Sequence, residues 1–168
     1  MHSTMTNIGG YITSLLALQP TRMGASQGGN VGNQNGHTFN RFANLPGGDL
    51  PLSAKGIVGL RTTIASGNSI SVDVRFEDSA NDSDWTHFNG GPGSSGVTTI
   101  TALSTADGTN KRGTIERSVN LSGARQYVRM RIHPILTASG VDTAELSAIL
   151  VTGGGVQLPA DSNGSLQA

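Results

Sequence analysis

The chain has 168 residues, enough for one domain with a hydrophobic core but not for two domains and a long arm. Charged residues make up 13% of the sequence and balance at 11 basic and 11 acidic, which disfavours nucleic-acid or anionic-membrane binding as the main function. The absence of cysteine excludes disulfides and thiolate metal sites, and an aromatic content of 4% predicts a core of Val, Ile, Leu and Ala.

No stretch of the sequence approaches the roughly 20 consecutive apolar residues that a membrane-spanning helix needs. The N-terminus lacks a basic segment, and the apolar residues 11–18 are interrupted by Thr13 and Ser14. We therefore expect no signal peptide, no membrane partner and synthesis in a cytoplasm without signal-directed export.

The first apolar segment, residues 8–18, is compatible with two structures. Tyr11, Leu15 and Leu18 have the spacing of one helix face. The glycine pair at the start of the segment and its β-branched residues weaken a helix, so a short strand remains an equal alternative.

Residues 19–55 are rich in glycine and asparagine and contain Pro20, Pro46 and Pro51. Glycine weakens helices and strands and proline lacks a backbone donor, so we expect residues 1–55 to form an extended N-terminal arm with little regular structure. The arm nevertheless carries apolar side chains, which either fix it to its own domain or insert into a neighbouring subunit. These side chains are Val31, Phe39, Phe42, Leu45, Leu50 and Leu52.

Residues 56–155 show the pattern of a β domain, and residues 156–168 that of a polar C-terminal tail. Apolar and polar residues alternate over residues 70–77, which is the period of a strand with one buried face. Similar segments follow at 97–103 and 115–121. A further alternating segment contains Val128, Met130 and Ile132, and we expect Pro134 to end that strand. The last alternating segment contains Ala144, Leu146, Ala148 and Leu150, and we expect that strand to be central or covered.

Short strands separated by turns, without a helical repeat, predict an all-β fold. We expect an antiparallel β-sandwich of jelly-roll or immunoglobulin-like type.

Two motifs match known binding sites only in part. Residues 91–96 fit G-x-G-x-x-G, with Glu116 twenty residues beyond Gly96, but the β-branched residues 97–101 follow where a dinucleotide site needs a helix. The acidic residues 78–84 offer oxygen ligands for calcium, but Ala80 stands at a ligand position, so a solvated turn with Asx hydrogen bonds is favoured.

The sequence offers no local support for catalysis. Its four histidines are widely separated, without recognised metal spacing. A serine, His133 and Asp142 would form a triad only if the fold assembled them. We therefore expect neither an enzyme nor a bound cofactor or metal.

A basic set lies near the end of the β domain. Arg129, Arg131 and His133 alternate with apolar residues and so lie on one strand face, with Arg125 just before them. They either bind an acidic protein surface or form a solvated face paired with acids on neighbouring strands, such as Glu116 or Glu145.

Three segments together resemble a known protein family. Residues 69–85 form a strand, a polar turn and Trp85; residues 120–132 carry the basic strand; and residues 138–154 carry the last apolar strand and its glycines. These segments resemble capsid decoration, or cement, proteins of tailed bacteriophages. The resemblance covers about residues 60–155 and is one of pattern, without a catalytic signature, and the arm matches no family motif.

The resemblance implies a β-sandwich on the outer capsid surface of a virion, which assembles as a dimer or trimer and bridges subunits of the major capsid protein. It implies no cofactor and no direct contact with nucleic acid. The residues that we expect to contact a partner are Phe39, Arg41, Phe42, Leu45, Arg129, Arg131 and His133.

Two other functions remain open. A tail- or fibre-associated virion protein with receptor or glycan binding would need an exposed aromatic platform, for which Trp85 and Tyr127 are candidates. A hydrolase domain on a β scaffold would need convergent acid, base or nucleophile groups that the sequence does not display.

Overall fold

The computed structural model describes most of the chain, and the described part consists of strands joined by turns and loops. Within it there is no helix long and apolar enough to cross a membrane. The residues described are 12–24, 32–42, 50–65, 68–91, 93–101, 111–136 and 142–153.

Every strand pairing in the described residues is antiparallel. The strands are β1 (Ile12–Gly24), β2 (Gln34–Asn35), β3 (Phe39–Asn40), β4 (Ser53–Thr63), β5 (Ser69–Ser79), β6 (Thr86–His87), β7 (Ser95–Thr101), β8 (Lys111–Asn120), β9 (Tyr127–Leu136) and β10 (Thr143–Gly153).

The strands form two sheets. The first sheet has the order β1-β10-β4-β8. In the second sheet the order is β2-β9-β5-β6, with β3 also paired to β9 and β7 also paired to β5. The chain stays in the second sheet from β2 to β3 and from β5 to β7, and every other pair of successive strands crosses from one sheet to the other, which is the arrangement of a jelly roll. The predicted all-β antiparallel sandwich is thus confirmed, and its topology is the jelly roll rather than the immunoglobulin-like alternative.

The hydrophobic core lies between the sheets. Alternate residues of β5, β9 and β10 point inward, as the two-residue period predicts, and β10 is central in its sheet. The largest fully buried side chains are Phe39, Phe76, Ile64, Ile70, Leu121, Met130, Ile132, Leu136, Leu146, Leu150, Val58 and Val72.

The expectation of little regular structure over residues 1–55 is wrong for the described part of that segment. Strand β1 pairs with β10 from Ile12 opposite Gly153 to Gly24 opposite Thr143. Its register shifts between Leu18 and Thr21, where Pro20 interrupts the pattern. Because β1 lies at the sheet edge, a proline and a bulge are tolerated there, and composition alone does not reveal the strand.

The expectation that Pro134 ends its strand is also wrong. Strand β9 continues to Leu136, with Pro134 buried and opposite Val72 of β5. The pairing of β2 with β9 reaches only to Ile132. Beyond that point the described part of β9 is paired on one side only, so a missing N–H is tolerated. The predicted tail, residues 156–168, lies outside the described residues.

Candidate interaction face

The outer face of the second sheet carries the basic residues that the sequence singled out. Along β9, buried residues alternate with half-buried ones, and Arg129, Arg131 and His133 belong to the half-buried set. The two-residue period therefore places these three side chains on the outer face, as predicted.

Strand β5 supplies the neighbours of this basic row. Because β5 and β9 are paired antiparallel, side chains opposite one another lie on the same face of the sheet. The outward pairs are Glu77 with Arg129, Arg75 with Arg131, and Asp73 with His133.

Glu77 is the centre of an ion network. Its Oε2 accepts hydrogen bonds from Nε and Nη2 of Arg129 at 2.9 and 2.7 Å, and its Oε1 accepts one from Nη1 of Arg131 at 3.4 Å. The Arg129 guanidinium lies over the ring of Trp85, 4.2 Å from the ring centroid. Trp85 is half-buried, and its ring packs against the guanidinium of Arg129. The face of the ring is therefore occupied and is not a free platform for a glycan.

Asp73 and Arg75 form a second ion pair on the same face, with Arg75 Nε 2.6 Å from Asp73 Oδ2. The Asp73 side chain is 8% exposed and the Arg75 side chain 42% exposed. The carboxylate is therefore buried beneath a guanidinium that reaches the surface, as with Glu77 and its two arginines.

Asp78 and Arg125 form a third pair at the end of β5. Arg125 donates to Asp78 through its backbone N–H at 2.9 Å and through Nη2 at 2.7 Å. Burial by itself would raise the pKa of Asp78, but the hydrogen bonds and charge of Arg125 outweigh burial and hold that pKa below its usual value. The side-chain hydrogen bond that Arg125 donates to Asp78 in turn raises the pKa of Arg125.

The acids that pair with the basic strand differ from those expected. Glu116 pairs with Lys55 at 2.5 Å and Glu145 with Arg61 at 3.6 Å, all on the first sheet. Sequence alone suggested them because they are close along the chain. Only the pairing of β9 with β5 shows that Glu77 is the acid beside the basic strand. The alternation at Asp73, Arg75 and Glu77 was the available signal.

The aromatic residues expected to contact a partner are separated by the fold. Phe39 is 1% exposed and lies opposite Val128 within the core of its own chain. This corrects the expectation that Phe39 inserts into a neighbouring subunit. Phe42 is 58% exposed, and Leu45 lies outside the described residues.

Arg41 is buried within its own chain, so it does not present its guanidinium to a partner. It donates to the backbone carbonyls of Ala124, Arg125 and Pro51, the last two at 3.3 Å. Burial lowers the pKa of Arg41 and the charge of Asp78 opposes that effect. Arg41 thus ties the turn before β9 to the segment that leads into β4.

The motifs considered for chemistry have structural uses. Strand β7, which begins at Ser95, and not a helix follows Gly93. Asn81 Oδ1 accepts the backbone N–H groups of Ser83 and Asp84 at 3.1 and 2.9 Å, so the solvated Asx turn is confirmed. In the described residues no group of three or more His, Cys, Asp or Glu is placed to hold a metal ion.

Asp142, the acid of the conceivable triad, instead anchors the loop between β4 and β5. It accepts hydrogen bonds from Ala65 N–H and from Asn68 Nδ2, both at 2.8 Å. These bonds use both carboxylate oxygens of Asp142 for holding the loop.

Comparisons with known proteins support the fold. No family model matches the sequence, and no curated protein matches it. A structure of the infectious bursal disease virus Gx strain is similar at 15% identity and a TM-score of 0.50, over 92% of this chain and 35% of that chain. The VP2 subviral particle of the same virus is similar at 13% identity and a TM-score of 0.50, over 93% of this chain and 34% of that one.

A structure of the PBSX exported protein XepA is also similar, at 15% identity and a TM-score of 0.45, over 93% of this chain and 47% of that chain. The chain therefore spans between about a third and a half of the length of these structures. At 13% identity, the similarity to the VP2 subviral particle is a similarity of fold.

Proposed function

We propose that this chain is a structural virion protein that decorates a phage capsid and stabilises it by bridging subunits of the major capsid protein. The observation that carries the proposal is the jelly-roll order of the two sheets, a fold shared with a protein of a subviral particle. The resemblance of residues 69–85, 120–132 and 138–154 to decoration proteins supports the same role. On this proposal the protein lies on the outer capsid surface and associates with itself as a dimer or trimer.

The outer face of the second sheet is the surface that we assign to the partner. Arg129, Arg131 and His133 lie there on one strand, and Arg75 of the next strand reaches the surface beside them. Phe42, 58% exposed, is a separate apolar contact. Many weak contacts of this kind, repeated around a shell, add up through multivalency without any single site being strong.

The proposal is tested on particles from the source of this gene. An antibody raised against the purified chain is applied to intact particles, and bound gold is located by electron microscopy. Labelling over the outer shell supports the proposal. Label confined to the tail would instead favour a fibre-associated protein, and absence from particles that contain all other structural proteins would overturn a virion role.

A second measurement addresses bridging. Particles with and without the bound chain are heated, and genome release is followed with a DNA dye. We expect release at a lower temperature when the chain is absent, because subunit joints then lose their added contacts. The purified chain is examined alone by sedimentation velocity: a dimer or trimer fits the proposal, whereas closed shells formed by this chain alone would make it the shell subunit instead.

A further inference from the structure

One row of side chains crosses the second sheet and contains no acid. Asn35 of β2 lies opposite Arg131 of β9, Arg131 lies opposite Arg75 of β5, and Arg75 lies opposite Ser95 of β7. Asn35 and Ser95 are exposed, and the two arginines between them are half-buried. All four side chains carry hydrogen-bond donors, so the row offers donors across four strands.

Arg131 is poorly satisfied in this row. Its Nε is buried and has no hydrogen-bond partner among the described residues. Its contact with Oε1 of Glu77 is long, at 3.4 Å, and the other oxygen of Glu77 is engaged by Arg129. The Arg131 guanidinium therefore has donor capacity left, and the part of the side chain that is exposed, 28% of it, can offer donors to an added acceptor.

The charges around the row leave one cation in excess. Three guanidiniums, those of Arg75, Arg129 and Arg131, meet two carboxylates, those of Asp73 and Glu77, which gives a formal local charge of +1. The directly opposed Arg75 and Arg131 repel each other. Asp73 and Glu77 contact the two guanidiniums from buried positions and limit their movement, so the pair is held in place before any ligand arrives.

We propose that Arg75 and Arg131 form a carboxylate-binding site that receives one Asp or Glu side chain of a partner protein. Guanidiniums match the planar geometry of a carboxylate and donate to both of its oxygens. A single negative charge balances the local excess, whereas the buried carboxylates beneath repel a polyanion such as nucleic acid. The identity of the partner as a capsid subunit rests on the proposed function. The binding of a carboxylate by Arg75 and Arg131 is independent of that function.

Glutarate, which carries the carboxylate of a glutamate side chain, is a suitable probe. Arginine Nε–H resonances of the ¹⁵N-labelled chain are followed by NMR at low ionic strength as glutarate is added, with sodium chloride as the ionic control. We expect a saturable shift of the Arg75 and Arg131 resonances. Arg75→Gln is expected to raise the Kd for glutarate by about tenfold or more, since a charge-assisted donor is lost.

The chain offers a matched control. Arg61 and Arg112 also lie directly opposite each other, on the outer face of the first sheet, where both are exposed. Arg112→Gln should leave glutarate binding at Arg131 unchanged, and the Arg61 and Arg112 resonances should shift only as they do with chloride. Arg75→Lys, which keeps the charge but loses the planar fork, should bind several-fold more weakly and serves if Arg75→Gln fails to fold.

Equal, non-saturating shifts at both arginine pairs would overturn the proposal, as would unchanged binding in a folded Arg75 variant. Saturation by inorganic phosphate but not by glutarate would assign the site to a phosphate group instead. The measurement uses the isolated chain. If glutarate binds but the antibody labels no particles, the carboxylate site stands and the virion role is wrong. If the antibody labels the outer shell but glutarate does not bind, the virion role stands and the carboxylate site is wrong.

Discussion

Glu77 and Arg129 lie directly opposite each other on β5 and β9. One carboxylate oxygen of Glu77 accepts hydrogen bonds from both Nε and Nη2 of Arg129, at 2.9 and 2.7 Å. The Trp85 ring covers the guanidinium. The two side chains are 9% and 17% exposed, so this ion pair is largely shielded from water. The shielding makes Glu77 a structural requirement of the basic face.

The substitution Glu77→Gln should lower the free energy of unfolding by about 3 kcal/mol, because it leaves two half-buried guanidiniums without their counter-charge. Urea denaturation followed by circular dichroism measures this change. The control is Glu116→Gln, which breaks an ion pair with Lys55 whose side chains are 50% and 46% exposed. That variant should cost less than about 1 kcal/mol. Equal costs for the two variants would show that burial of Glu77 contributes nothing.

Phe39 should act as a core residue of the isolated chain. Phe39→Ala should destabilise it by about 3 to 5 kcal/mol, since the ring is 1% exposed between the sheets. Phe42→Ala, at a ring that is 58% exposed, should change stability by no more than about 0.5 kcal/mol. Denaturant midpoints of the two variants make the comparison. A Phe39 variant as stable as the Phe42 variant would return Phe39 to the role of a partner contact.

Gly36 occupies a position where a side chain does not fit. A Cβ there would lie 2.8 Å from the carbonyl oxygen of Ala17 and 2.9 Å from that of Met130, one in each sheet. Gly36→Ala should therefore cost about 1 to 3 kcal/mol, because backbone on two sides must move. Gly113→Ala, with open space around its Cβ, should be neutral or stabilising by up to about 1 kcal/mol. Thermal unfolding of both variants is the measurement, and a harmless Gly36→Ala contradicts the close approach.

Stability should fall in acid partly because of Asp78. Its pKa in the folded chain lies below the ordinary value of 3.8, so the unfolded chain takes up the proton first as pH falls. The contribution of the Asp78–Arg125 pair is complete above the ordinary value and is lost as pH falls through the lowered pKa. Asp78→Asn should be less stable than the parent chain near neutrality, and the difference should shrink below about pH 4. A difference that is constant with pH would mean that ionisation of Asp78 has no part in it.

Strand β1 should be ordered without any partner. Its backbone pairs with β10 from Ile12 to Gly24, so hydrogen exchange in the isolated chain should be slow at the alternate amides that bond to β10. Exchange is followed by NMR or mass spectrometry, in isolated chain and in particles. Slow exchange in both samples fits the fold described, whereas fast exchange in the isolated chain and protection only in particles would restore the arm that orders on binding.

The alternation of apolar and polar residues determined much of this fold by itself. Ile70, Val72, Val74 and Phe76 are all fully buried, and Arg129, Arg131 and His133 are all on the outer face, because a strand's period of two is set by local backbone geometry. The Asx turn around Asn81 was likewise predictable, since its hydrogen bonds join residues close in sequence.

What only the tertiary structure decided is which strands are neighbours. Strand β1 owes its place to backbone bonds with β10, which lies more than a hundred residues away, whereas the side chains of residues 8–18 alone fit a helix as well as a strand. Pairing of β5 with β9 brings Arg75 against Arg131 and Glu77 against Arg129, and it buries Phe39 in its own core opposite Val128 rather than in a partner. These are long-range contacts, selected by the packing of two whole sheets, and no local pattern specifies them.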